Sequence, residues 1–299
     1  MGYLFLGISL LAGVIKGYCG KRTSGYVESY SGSMFTNLIR MMFCVVIGAV
    51  IMIADGSFGS LVPDGRLMVI SVISGISTSV FMVCWLISIK KSAYMMLNVF
   101  LMLSVLVPIC GGYILFDEKI RFVQWIGILI LVVAAYILCS YNNSIKGKMS
   151  FSAFVILLLC GIASGVTDFM QKMFVKQLPQ TPISIFNFYT YLFSAIVLLV
   201  FLIFFRRNEE KERITAEFCN IKKMIGYIAV MAVSLFANSF FKTKAAVYLD
   251  SVQLYPLSQG GGLILSALMA AIVFHEKLTW KCIGGLALAF SGLVVLNML

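Results

Sequence analysis

Stretches of about twenty apolar residues follow one another along almost the whole chain. At a rise of about 1.5 Å per residue, twenty residues carry a helix over about 30 Å, the thickness of a bilayer's hydrocarbon core. Bounded by charge, Gly, Pro or Asn, the stretches fall at 2–19, 34–54, 66–89, 92–116, 121–140, 150–171, 183–205, 223–241, 245–274 and 280–298. No water inside a bilayer can satisfy free N–H and C=O groups. Ten such stretches therefore predict an all-α integral membrane protein with ten transmembrane helices. The connections are short apart from Gly20–Ser33 and the charged segment Arg206–Lys223, so consecutive helices run antiparallel and no separate soluble domain is expected.

Charge is scarce and scattered. Only 12% of the 299 residues are charged and 61% are hydrophobic, against about 25% and 45–50% in soluble domains. The net charge of +11 is spread between apolar segments and forms no basic face, which excludes a nucleic-acid partner and leaves the lipid bilayer as the first one. The eight cysteines are widely spaced with no C-x-x-C pair, so they read as small hydrophobes. The single histidine is His275, and neither H-E-x-x-H nor G-x-S-x-G occurs. No catalytic residue, metal or cofactor is expected. Lys16 interrupts the first stretch and no A-x-A site follows, so that stretch reads as a retained helix of a multi-pass protein of the plasma (inner) membrane.

The sequence also repeats. Residues 116–127, FDEKIRFVQWIG, lie over residues 274–285, FHEKLTWKCIGG, aligning Phe116 with Phe274, Glu118 with Glu276, Lys119 with Lys277 and Gly127 with Gly285. Nearer the start of each half, Asn37 falls on Asn187, Phe43 on Phe193 and Val50 on Val200. Each half opens on a Gly-x-x-x-Gly pair, Gly13/Gly17 and Gly161/Gly165, which permits close helix approach. Five spans per half is odd, so the second half enters upside down. The expectation is two inverted five-helix repeats, residues 1–145 and 146–299, with a site between them at the membrane midplane.

A fourth stretch containing Pro108 that runs into FDEKI, Gln124 and Gly127, and its return as FHEKL with Gly284/Gly285, resembles the drug/metabolite transporter superfamily. The chain is most similar to its ten-helix EamA-type members. The resemblance implies eight helices around a central cavity, the fifth and tenth at the periphery, and transport of a small organic solute without a bound cofactor.

Polar groups inside spans are the first functional candidates, because unpaired they cost several kcal/mol in hydrocarbon. Asp168 is the acid that falls within a span; it reads either as a cavity carboxylate able to bind a proton or cation, or as the i, i+4 partner of Lys172. Lys16 overlays near Asp168 when the halves are superposed and could pair with it across the pseudo-two-fold axis, or snorkel along its own stem to the nearer interface. Arg40 could clamp a carboxylate or phosphate, and Lys242 with Lys244 could do the same for an anion; the other reading of all three is anchoring at the headgroup level, favoured for Lys242 and Lys244. Asn37, Asn187, Asn238 and Gln259 could orient a solute by hydrogen bonds, and Trp85, Tyr94, Asn98, Tyr191 and Tyr255 complete the candidate wall. Pro256 followed by Gly260–Gly262 marks the ninth span as the best candidate for a broken helix, with Pro108 a weaker one. Glu118 and Glu276 read as caps on the helices that follow them.

The resemblance implies a cytoplasmic N-terminus, yet the basic residues of Arg206–Lys223 then lie outside, against the positive-inside rule, so orientation stays open. The function read here is secondary active transport of a small organic metabolite or drug-like solute by alternating access, with proton coupling as one variant. A channel or lipid flippase is the alternative, and oligomeric state is not legible.

Overall fold

The structure is a computed structural model that describes residues 1–27, 29–61, 64–91, 94–146, 150–206, 211–273 and 280–297. Among them the helices are α1 (Gly2–Ser24), α2 (Tyr30–Ala54), α3 (Gly65–Lys91), α4 (Tyr94–Leu103), α5 (Leu106–Phe116), α6 (Phe122–Lys146), α7 (Phe151–Gln177), α8 (Ile183–Arg206), α9 (Lys211–Tyr248), α10 (Ser251–Ile272) and α11 (Trp280–Asn297), with one 3-10 turn at Ser57–Ser60. Helices α4 and α5 share the fourth apolar stretch, which gives ten spans; no strand occurs among the described residues. Leu11, Ile53, Leu129, Ile203 and Phe204 are exposed on the outside, while Ser9, Thr36, Arg40, Asp168, Gln171 and Lys172 are buried. A bilayer solvates the first set and cannot solvate the second, so the chain turns its polar groups inward.

Three local features depart from the sequence reading. The fourth span breaks at Ser104–Val105. Pro108 has no N–H for the Ser104 carbonyl four residues earlier, and that carbonyl takes the Val107 N–H at 3.2 Å in a tighter turn. The ninth span, by contrast, continues unbroken past Pro256 as α10, because a proline in the second turn forfeits only one intrahelical bond. The segment 211–222 is helical and not a loop: α9 has 38 residues, about 57 Å of helix, and only its part from Asn220 to Tyr248 is apolar enough to span.

The halves meet along most of their helices. α1 packs on α9, α3 on α7 and α8, α2 on α8 and α9, α4 on α10, α5 on α7, α1 on α10, and α6 on α11. Close approach is built with small residues. A Cβ on Gly165 would stand 2.6 Å from the Ser104 carbonyl oxygen, and one on Gly161 would stand 2.8 Å from that of Phe100. The Gly161/Gly165 stripe of α7 thus seats the broken fourth span against the second half. At one end of the bundle, Asp55 after α2 accepts from the backbone N–H of Ser57 at 3.0 Å and from the Ser184 hydroxyl of α8 at 2.8 Å. Burial alone would push the Asp55 carboxyl up, but these hydrogen bonds outweigh it and hold it below 3.8.

Candidate functional site

Between the halves lies a cavity of about 120 Å³. Four helices each turn one stripe at i, i+3, i+4, i+7 into it: Leu10, Gly13, Val14 and Gly17 of α1; Thr78, Phe81, Met82 and Trp85 of α3; Ser164, Thr167, Asp168 and Gln171 of α7; Leu235, Asn238, Ser239 and Lys242 of α9. Lys16, Leu101 of α4, Thr190 and Tyr191 of α8, and Ser258, Gln259, Gly262 and Ser266 of α10 complete the wall. Among the described residues α6 and α11 contribute nothing to the wall, and these two helices pack on each other.

The charged groups pair differently from either sequence reading. Asp168 meets neither Lys16 nor Lys172: its Oδ1 forms an ion pair with Nζ of Lys242, and its Oδ2 accepts from Nε2 of Gln259 at 3.3 Å. The carboxylate is 2% exposed, and Lys242 is a cavity residue, not an interfacial anchor. Lys16 forms no ion pair among the described residues; its ammonium lies 5.7 Å from the centres of both the Phe81 and Trp85 rings. Lys244, on the next face of α9, sits 4.8 Å over the Phe240 ring.

Of the remaining candidates, Trp85, Tyr191, Asn238 and Gln259 line the cavity. Asn238 also ties α9 to α1, donating to the Ser9 carbonyl at 2.8 Å while the Ser9 hydroxyl donates to the Asn238 carbonyl at 2.9 Å. Asn37 and Asn187 lie behind the wall as interhelical ties. Asn37 donates to the Met82 carbonyl at 3.1 Å, and Asn187 accepts from the Ser239 hydroxyl at 2.9 Å, which in turn accepts from Gln171 at 3.0 Å. Tyr255 is fully buried and donates to the Asp168 carbonyl at 2.6 Å. Arg40 is fully buried behind Trp85, its guanidinium 5.8 Å from that ring; Nη2 donates to Asn37 Oδ1, while Nε and Nη1 have no hydrogen-bond partner. The side chains of Tyr94 and Asn98 lie outside the described part of α4, and residues 274–279 with Glu276 lie outside the described residues.

Sequence reasoning missed Ser164, Thr167, Gln171 and Ser239, and for Lys242 it favoured the interface over the cavity. Their signal was present: hydroxyl, amide and charged residues recur on one helical face of otherwise apolar stretches.

A second charged cluster stands beyond the cavity, where α7 and α9 end and α10 begins. Lys172 pairs with Glu118 at 3.3 Å and donates to the Leu249 carbonyl at 2.8 Å. Glu118 accepts from the Ser251 N–H at 3.0 Å. This carboxylate caps α10, not the helix that follows it as the sequence suggested, because the left-handed turn at Asp117 (φ 52°) folds Glu118 back under α10.

Residues 151–298 match the EamA-like transporter family. The second half of the chain belongs to this family, within the drug/metabolite transporter superfamily. No curated protein matches the chain. Among solved structures, a protein whose crystal structure bears no functional title is 13% identical, with 99% of this chain and 96% of that one covered and a TM-score of 0.71. That likeness shows a shared fold. The match and the apolar helices make the protein an integral, multi-pass membrane protein of a transporter family, and such a family implies a small-molecule substrate.

Proposed function

We propose that this EamA-type protein is a secondary transporter that carries a small organic solute through its central cavity by alternating access, rocking two inverted five-helix halves, 1–145 and 146–299, against each other. The observation that carries the reading is the cavity itself: Lys16 comes from the first half and Asp168 and Lys242 from the second, so any solute held among them touches both halves. The packing supports the inverted repeat. Exchanging the first five spans with the last five turns the α1–α9 pair into α7–α3, α2–α9 into α8–α3 and α1–α10 into α7–α5, and maps α2–α8, α4–α10 and α6–α11 onto themselves; every one of these contacts is present. The two asparagines aligned by the repeat play matching parts, Asn37 tying its helix to α3 and Asn187 tying its helix to α9.

Within this cycle the Glu118–Lys172–Ser251 cluster, with Tyr255 beside it, closes one end of the cavity in the conformation described. The Pro108 break lets α4 and α5 move separately. Asp168, the carboxylate of the cavity wall, is the group through which a proton would couple to transport. The protein acts in the plasma membrane and assigns no residue to catalysis, metal or cofactor. The full burial of Tyr255 and Lys172 at that end favours a carrier over an open channel. Counterflow in proteoliposomes tests the proposal: labelled solute entering against its gradient when unlabelled solute is trapped inside supports a carrier, and a non-saturating flux without trans-stimulation overturns it.

A further inference from the structure

We infer that the solute is a small monoanion, a carboxylate on a short apolar body, with its charged end held at Lys16. The inference rests on the transporter reading for the site and on charge and size for the class.

The cavity wall carries two cations, Lys16 and Lys242, against one carboxylate, Asp168. Asp168 is committed to Lys242 and Gln259. Among the described residues Lys16 is left without an ion pair and faces the rings of Phe81 and Trp85. An ammonium in the middle of a bundle whose nearest carboxylate is already paired with another lysine is among the least favourable arrangements a membrane protein can hold. Arg40 adds a second positive charge behind the same tryptophan, with two of its nitrogens unpartnered. The field at the Lys16 end is therefore positive, and one negative charge brought there balances the wall. A cation would meet repulsion from Lys16 and would have to displace Lys242 from Asp168; a zwitterion would leave the excess charge in place.

Shape agrees with charge. An apolar cavity of about 150 Å³ accepts benzene, so 120 Å³ suits a solute of about six non-hydrogen atoms. Phe81 and Trp85 face Lys16, and Met82 and Leu101 add apolar wall to the same cavity, a surface for a short alkyl or planar body. The same cavity is also lined by Ser164, Thr167, Ser258 and Gln259, whose hydroxyls and amide can take the second carboxylate oxygen.

Four probes of nearly one size separate the classes: butyrate (anion), butyramide (neutral), butylamine (cation) and 2-aminobutyrate (zwitterion). Each is titrated against the purified full chain while its unfolding temperature is followed, since a ligand of the folded form raises it with occupancy. The expected result is a saturable rise with butyrate alone. Lys16→Met should then need roughly tenfold more butyrate or higher, the loss of one charge-assisted hydrogen bond, whereas Lys16→Arg keeps the response. A response to butylamine, butyramide or 2-aminobutyrate that equals or exceeds that to butyrate overturns the inference. So does no response to any of the four, or an unchanged butyrate titration in Lys16→Met. If Lys16→Met does not fold, the wild-type panel decides alone. Flux separates the two readings: butyrate that binds but shows no counterflow overturns the transporter and leaves the anion site, and saturable counterflow of butylamine does the reverse.

Discussion

Replacing Glu118 with Gln removes a charge from the buried cluster where α10 begins while keeping the side chain's shape. Lys172, at 1% exposure, then loses its carboxylate partner at 3.3 Å but keeps the Leu249 carbonyl at 2.8 Å and the Ala246 carbonyl at 3.4 Å. Stranding one member of a buried ion pair costs about 3–5 kcal/mol. With two carbonyls still accepting from the ammonium and Lys176 more than a third exposed, the low end applies, about 3 kcal/mol. At about 2 °C per kcal/mol for a chain of this size, the unfolding temperature in detergent should fall by about 6 °C. The amide oxygen of Gln can still accept from Ser251, so the α10 cap survives and the loss reports the charge alone. Adding Lys172→Met should return most of it, because an apolar side chain of similar length leaves nothing unpaired. An E118Q protein that melts with the wild type, or a double variant no more stable than E118Q, would refute the assignment of Glu118 as the partner of Lys172.

Three further outcomes follow from the geometry. Gly165→Val should destabilise the protein by several kcal/mol and lower its yield, since even a Cβ stands 2.6 Å from the Ser104 carbonyl; Gly226→Val, where nothing lies within 4 Å, is the control that should express normally. Asp168→Asn leaves Lys242 without a counter-ion in the cavity wall, so transport should lose its dependence on pH even where protein yield is kept, and full uptake with an unaltered pH profile would remove Asp168 from coupling. Asp55 has a folded-state pKa below its ordinary 3.8, so its contribution is complete above that value and disappears as pH falls through the lowered one. Stability curves of wild type and Asp55→Asn should therefore run apart at neutral pH and converge in acid, with a small gap because the group is largely exposed to solvent.

The spans were legible because lipid allows little else: an apolar run of twenty residues in a chain with so few charges can only be a helix. What stayed hidden was non-local. Asp168 has Lys172 one turn away in sequence, the natural partner on an isolated helix, but Lys242 on α9 reaches it first and Glu118 takes Lys172. No spacing rule places α9 beside α7. The cap role of Glu118 had the right chemistry and the wrong helix, since only the left-handed turn at Asp117 directs it to Ser251. Pro256 and Pro108 carried the same local signal, yet only Pro108 opens a break. The amphipathic charge of Lys211–Glu217 looked like a loop because apolar length was the sole criterion, although a helix can simply continue past the membrane.

The account turns on one cavity reachable from both sides in turn. Its most direct test places a cysteine at Ser258, in the cavity wall, in a variant whose eight native cysteines are replaced, and applies a membrane-impermeant maleimide from each side of sealed vesicles. Alternating access predicts that the thiol is modified from either side; modification from one side only would contradict it.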